Sequence, residues 1–377
     1  MKAVVVSGLW PPDVGGPASH APEVCEWLIG HGHTVSVVTF ADRPPDPKPY
    51  PVHWISRRLP PGVRHARAAL LVSRLARRAD VVYSIAMLGR TSIAAALAGK
   101  PHVIKLTTDP VFERSLHWGL TQPDLHAFQD TGGLRIDALR RVRDRALASA
   151  ARVLLASRAL HELALSWGVP RERAELLPNP IAAPADLGSA EELRRRHAIK
   201  GPTLVYAGRL VPQKSVEVAI EAVQRNPGVT LLVAGDGPER EALQRYARGI
   251  GLDGRARFVG AQPRQTVFEL LRAADAAVLS SNWENFPHVA VEALSVGTPV
   301  LATAAGGVSE IVRDGENGLL VPVGDARALS ATIGKYVGDE GLRCSLRANA
   351  VESVSEYAPS EVLHRLERLL TEAACQP

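Results

Sequence analysis

Two carboxylates, Glu284 and Glu292, stand eight residues apart in the stretch ENFPHVAVEALSVGTPV, residues 284–300. Glu284 falls in a loop. Glu292 falls inside the apolar run Ala290, Val291, Ala293, Leu294 and Val296, which reads as a buried helix. A charge entering such an element costs free energy unless a partner or ligand meets it. Upstream, Arg209 and Lys214 place a planar fork and a point charge just beyond another apolar run, a pair suited to neutralising phosphate. Two acids flanking a sugar can also act as the acid and base of glycoside hydrolysis, but phosphate-binding cations beside them argue against that use. A plain strand-helix unit with a surface Glu, a capping Glu and a surface cation pair is the bland alternative.

The elements that must position these residues follow from periodicity. Residues 276–280 read as a short buried strand, 290–296 as a helix stopped by Gly297-Thr298-Pro299, and 300–302 as another strand. Acids at such a loop and helix lie where open parallel sheets bind ligands. Residues 2–6 form an apolar strand buried on both faces. They lead through Gly15 and Gly16 into a helix over 21–29 and a strand over 35–40. The glycines do not fit G-x-G-x-x-G, so no dinucleotide fingerprint is present. They either let backbone N–H groups approach an anion or polyol closely or simply form a tight turn.

Further strands read at 80–83, 102–106, 153–156 and 175–177, with helices at 91–98 and 159–167. Lys105, Asp109 and Glu113 put charges around the end of the second of these strands. Residues 178–184 form a Pro-rich linker, a helix follows at 190–197, and the alternation restarts from 203 onward. Two doubly wound α/β domains follow, 1–182 and 183–358, with strand ends facing a central cleft. An amphipathic last helix, about 359–377, can pack back on either.

The bulk numbers agree with a globular chain: 377 residues, 46% hydrophobic and 22% charged. No apolar run approaches the roughly 20 residues of a spanning helix, and the first residues lack a signal-peptide pattern, so the expectation is cytoplasmic. Three scattered cysteines, Cys25, Cys344 and Cys375, fit neither a disulfide framework nor a metal site. The net charge of +5 is uneven: 23 Lys and Arg against 15 Asp and Glu in residues 1–184, and 21 against 24 beyond. A basic N-terminal half suits anionic ligands or an anionic membrane surface. Residues 57–78 carry seven arginines in a helix-like amphipathic stretch, either a solvated face or a peripheral membrane or acceptor contact. Basic residues interleaved with aromatics, the pattern of single-strand binders, do not occur, so nucleic acid is not an expected partner.

Four stretches together resemble a known family: Ala207-Gly208-Arg209-Leu210-x3-Lys214, Gly235-Asp236-Gly237-Pro238-Glu239, Phe258-Val259-Gly260, and Glu284-x7-Glu292 with Gly297-Thr298-Pro299-Val300. Pro11-Pro12-x2-Gly15-Gly16 and Ala305-Gly306-Gly307-x2-Glu310 agree with them. Their order and spacing resemble glycosyltransferase family 4, retaining and nucleotide-sugar-dependent, with the GT-B fold. The resemblance implies a nucleoside diphosphate sugar donor, UDP- or GDP-linked, an acceptor with a free hydroxyl, and no cofactor or metal. It implies that Arg209 and Lys214 stabilise the departing diphosphate, a task worth several kcal/mol at a transition state. Glu284 is implied to contact the transferred sugar, with backbone N–H groups around Asn285, Phe286 and Pro287, although Pro287 has none to give. Glu292 is implied to hold the ribose, Gly260 to border the base, Gly208 and Gly235 to line the donor, and Gly15 and Gly16 to approach its phosphate.

Two departures stand out. Where the family has Gly after the lysine, this chain has Ser215, which can serve as a helix cap. Where many members have His-Asp, it reads Thr108-Asp109. Only Asp109 is carried over as a catalytic residue, and a salt bridge among Lys105, Asp109 and Glu113 is the competing role. The implied activity is front-face, retaining, metal-independent sugar transfer. The rivals are an epimerase or phosphorylase of the same fold and a non-catalytic sugar-nucleotide-binding subunit. The sequence does not identify the sugar, the acceptor or the oligomeric state.

Overall fold

A computed structural model describes residues 1–13, 16–85, 87–121 and 125–375. The chain divides into two compact units, Met1–Pro180 with Pro359–Pro377, and Ile181–Ala358. The division falls two residues ahead of the boundary read from the sequence. Ile181 already belongs to the second unit: its N–H donates to the Tyr357 carbonyl at 2.9 Å and its side chain enters that unit's core.

The first unit runs β1 (Lys2–Ser7), α1 (Gly16–Gly30), β2 (Thr34–Ala41), β3 (Val52–Ser56), α2 (Pro61–Ala76), β4 (Val81–Ser84), α3 (Leu88–Leu97) and β5 (His102–Leu106). It continues with α4 (Pro110–His117), α5 (Leu125–Gln129), α6 (Leu134–Ala148), β6 (Arg152–Leu155), α7 (Arg158–Ser166) and β7 (Ala174–Leu176). Its seven strands are parallel in the order β3-β2-β1-β4-β5-β6-β7. Helices cover both faces, which is why residues 3–6 of β1 are all apolar and buried. Ala3 and Val5 point into the core beneath α1, and Val4 and Val6 into the core beneath α2 and α3.

The second unit runs α8 (Ala190–Arg196), β8 (Thr203–Ala207), α9 (Val216–Gln224), β9 (Thr230–Ala234), α10 (Arg240–Gly249), β10 (Ala256–Gly260), α11 (Arg264–Ala273) and β11 (Ala276–Leu279). Then come α12 (His288–Ser295), β12 (Val300–Thr303), α13 (Val308–Ile311), β13 (Gly318–Val321), α14 (Ala326–Gly338) and α15 (Glu340–Ala350). The order β10-β9-β8-β11-β12-β13 repeats the doubly wound pattern. The last helix, α16 (Pro359–Ala374), returns to the first unit. It buries Val362, Leu363, Leu366, Leu369 and Leu370 there, and Glu367 accepts from Trp27 Nε1 at 2.8 Å.

Two sequence expectations need correction. Residues 57–78 are not one helix: Pro60 caps and Pro61 begins α2, so Arg57 and Arg58 stay in the preceding turn. Arg57 forks there between Asp13 and Asp42, and also donates to the Phe40 carbonyl at 2.9 Å. The edge strand β3 goes unread in the sequence because only Ile55 within it is fully buried, leaving no apolar run to detect.

Candidate functional site

In a doubly wound sheet the strand order reverses once, and the loops leaving the two strands at that point diverge and open a crevice. In the second unit these strands are β8 and β11. The loop after β8 carries Arg209 and Lys214, and the loop after β11 carries Glu284. Topology therefore brings together residues 70 positions apart. Lys214 Nζ donates to Glu284 Oε1 at 2.5 Å, and Ser281 Oγ donates to the same oxygen at 2.6 Å. Glu284 is 6% exposed, so both donors offset the desolvation of its carboxylate.

Three hydrogen bonds pin the two loops to each other. Asn282 N donates to the Gln213 carbonyl (2.9 Å), Gln213 Nε2 to the Trp283 carbonyl (2.7 Å), and Ser280 Oγ to the Lys214 carbonyl (3.2 Å). Arg209 is exposed and forms no side-chain hydrogen bond or ion pair among the described residues. It is a cation held at a strand end with its charge unspent. Neither Ser281 nor Gln213 is signalled by the sequence, since their partners are fixed only by the pairing of the loops.

Several glycines are explained by backbone against backbone. A Cβ on Gly235 would fall under 3.0 Å from the Gly208 carbonyl oxygen, and one on Gly237 equally close to that of Leu210. The loops after β8 and β9 are joined there, with Gly208 N donating to the Ala234 carbonyl and Leu210 N to that of Asp236. Gly306 and Gly307 do the same for the acidic loop. A Cβ on either would strike the Glu284 or Asn285 carbonyl oxygen, and Gly307 N donates to the Glu284 carbonyl at 2.8 Å.

Lys214 sits in a 3-10 turn, Pro212–Lys214, and Ser215 follows it at φ 42° and ψ 50°. The capping role expected of Ser215 is not found: its side chain donates to the Pro212 carbonyl at 3.2 Å and caps nothing in α9. What the position demands is a left-handed backbone, which glycine adopts at less cost than serine.

Glu292 lies on α12 and meets Arg264 at the start of α11, Oε1 to Nε 3.4 Å. Burial pushes its carboxyl above the usual range and Arg264 opposes that shift. Gly260 closes β10 at φ 75°, next to a register shift in the ladder with β9. Asn285 is buried, Phe286 packs edge-on against Tyr357 at 5.6 Å, and Pro287 precedes α12.

The residues singled out in the first unit take different places. Gly15 lies outside the described residues, and Gly16 is the first residue of α1. Asp109 is wholly buried. Its Oδ1 accepts from Val111 N to cap α4, and its Oδ2 pairs with Arg143 on α6 at 2.9 Å. Lys105, the penultimate residue of β5, is fully buried and donates to the carbonyls of Leu177 and Pro178. Burial pushes its ammonium down to about 7, with Arg365 adding to the shift. Among the described residues no group of three or more His, Cys, Asp or Glu can hold a metal ion, and no helix is long and apolar enough to cross a membrane.

Residues 15–180 match the family model described as a glycosyl transferase 4-like domain, and residues 189–353 the model for glycosyl transferases group 1. Glycogen synthase of Mycobacterium tuberculosis is 31% identical over 382 residues, covering 93% of this chain and 89% of that protein. The chain belongs to the GT-B glycosyltransferases of the family 4 type. Another relative of this glycosyltransferase, the lipopolysaccharide core biosynthesis glycosyltransferase LpsE of Rhizobium meliloti, is 40% identical over 153 residues. That match covers 41% of this chain and 44% of LpsE. The chain spans less than half the length of several curated relatives it matches. Its fold is similar to that of HepE from Anabaena, solved in complex with UDP and glucose. The TM-score is 0.78 at 21% identity, covering 99% of this chain and 100% of HepE.

Proposed function

We propose that this chain transfers a sugar from a nucleoside diphosphate sugar to an acceptor hydroxyl, with retention at the anomeric carbon. The observation that carries the reading is the switch-point cluster of the second unit, where Lys214 meets the buried Glu284 and Arg209 stands unpaired. A sugar diphosphate brings at least two negative charges, and its leaving diphosphate gains charge as the glycosidic bond breaks. Arg209 and Lys214 are the fixed cations that stabilise it, in the place a metal ion would take. Glu284 then orients the sugar through its hydroxyls, and Glu292 the ribose. UDP or GDP is the expected carrier, UDP being the nucleotide found in the HepE structures.

No Asp or Glu is assigned as a covalent nucleophile. The acceptor oxygen bonds to the anomeric carbon on the face the phosphate leaves, and its proton passes to the departing phosphate oxygen. Asp109, with both carboxylate oxygens engaged and no exposure, acts by positioning α4 and α6. Single substitutions of Glu284, Arg209 and Lys214 by Ala, assayed for transfer with UDP- and GDP-sugars, test the reading; transfer unimpaired in all three refutes it. Turnover of donor without acceptor favours the epimerase alternative, and a requirement for phosphate favours the phosphorylase.

A further inference from the structure

Three of the strands in the first unit hand over to helices that carry an arginine in their first two turns. Arg64 lies on α2 after β3, Arg90 on α3 after β4, and Arg114 on α4 after β5. All three therefore stand at the carboxyl edge of the parallel sheet, the edge at which open α/β sheets bind ligands. His65 sits among them, its ring 6.1 Å from Phe40, over which the Arg64 guanidinium also lies at 5.4 Å. Arg114 lies 6.0 Å from the exposed ring of Trp118.

On α2, α3 and α4 the one carboxylate is the exposed Glu113, beside Arg114. Residues 57–108 contain one carboxylate, Asp80, which accepts from Lys2 N at the opposite edge of the sheet. The nearby acids Asp13 and Asp42 are taken by Arg57, and Asp109 by Arg143. Arg64, Arg90 and Arg114 have no carboxylate partner among the described residues. Arg64 Nε and His65 Nδ1 are buried with no hydrogen-bond partner, a cost that a bound acceptor atom would remove. Burial holds both His65 and Arg90 below their ordinary values, and the charges of the surrounding arginines add to it.

We infer that Arg64, His65, Arg90 and Arg114 form a binding site for a phosphate group, which, on the transfer reading above, belongs to the acceptor. Forked guanidinium donors match tetrahedral phosphate oxygens, and the starts of α2, α3 and α4 direct their backbone N–H groups and dipoles to the same edge. The phosphate comes either from a soluble phosphorylated molecule or from a lipid headgroup.

The test uses the full chain and its R90Q and R114Q variants. Thermal stability is followed against inorganic phosphate. Co-sedimentation is followed with phosphatidylcholine vesicles, with and without phosphatidylglycerol. The expected result is binding of phosphate, of the anionic vesicles, or of both, about tenfold weaker in each variant, with UDP affinity unchanged. Phosphate binding alone identifies a soluble source; a response confined to phosphatidylglycerol vesicles identifies a headgroup. Phosphate should also raise the His65 imidazole pKa in NMR titrations. Wild-type protein that binds neither probe, or variants that bind both as wild type does, overturn the inference. Failure of wild-type protein to bind either UDP or GDP would count against the transfer reading and leave this result standing.

Discussion

Lys214 and Glu284, 70 residues apart, meet at 2.5 Å because β8 and β11 are neighbours at the point where the strand order of the second unit reverses. The pair joins stability to chemistry. Lys214→Met leaves the Glu284 carboxylate buried with the Ser281 hydroxyl still donating to it, so a loss of about 3 kcal/mol is expected in urea unfolding. Transfer should fall by about two to three orders of magnitude. Glu284→Gln should lose transfer activity with a smaller loss of stability, since it removes the buried charge along with the pair.

Ser215→Gly should stabilise the protein. Ser215 holds φ 42° without capping α9, and relieving a left-handed non-glycine residue is worth about 1 kcal/mol. A raised urea midpoint at unchanged slope checks this; an unchanged or lowered midpoint rejects the strain argument.

Gly307→Ala should do the opposite. Its Cβ would collide with the Asn285 carbonyl oxygen, and the loop carrying Glu284 must then move. A loss of about 2 kcal/mol or more, with weaker donor binding, is expected. Gly315→Ala, at positive φ (76°) but with nothing within 4 Å of its Cβ, should leave donor binding unchanged.

Glu292 and Lys105 give opposite pH signatures. The folded-state pKa of Glu292 is raised above 4.5, chiefly by burial. Its contribution to stability is therefore full below pH 4.5 and lost as pH rises through the folded value. Glu292→Gln should accordingly raise unliganded stability at neutral pH while weakening binding of nucleotides with intact ribose hydroxyls. Lys105 is lowered from 10.5 to about 7 by burial. The unfolded chain then binds the extra proton between those values, and stability rises with pH across that window. In Lys105→Met that rise should disappear; its persistence would reject the assignment.

The strands β11 and β12 are legible in the sequence because each is a short apolar run between turn residues, and β8 begins at residue 203, where the alternation restarts. The site is legible in part. Motif spacing picks out Arg209, Lys214, Glu284 and Glu292, because each breaks an apolar context or follows a strand. Arg264 is not legible, being one arginine among many whose value depends on α11 lying beside α12. Asp109 shows the converse: a charge at a strand end that folding turns into a cap and a buried ion pair. The helices α4 and α6 escape notice because their sequences mix charged and apolar residues without a clean period, and α5 because it is only five residues long.

Calorimetric titration of UDP and GDP into wild-type protein and an Arg209→Ala, Lys214→Met double variant shows whether these two cations hold the donor's diphosphate. One of these nucleotides should bind wild type, and the double variant, which lacks both cations, should bind it at least about a hundredfold more weakly. Equal binding by the two proteins, or no binding of either nucleotide to wild type, would contradict that role.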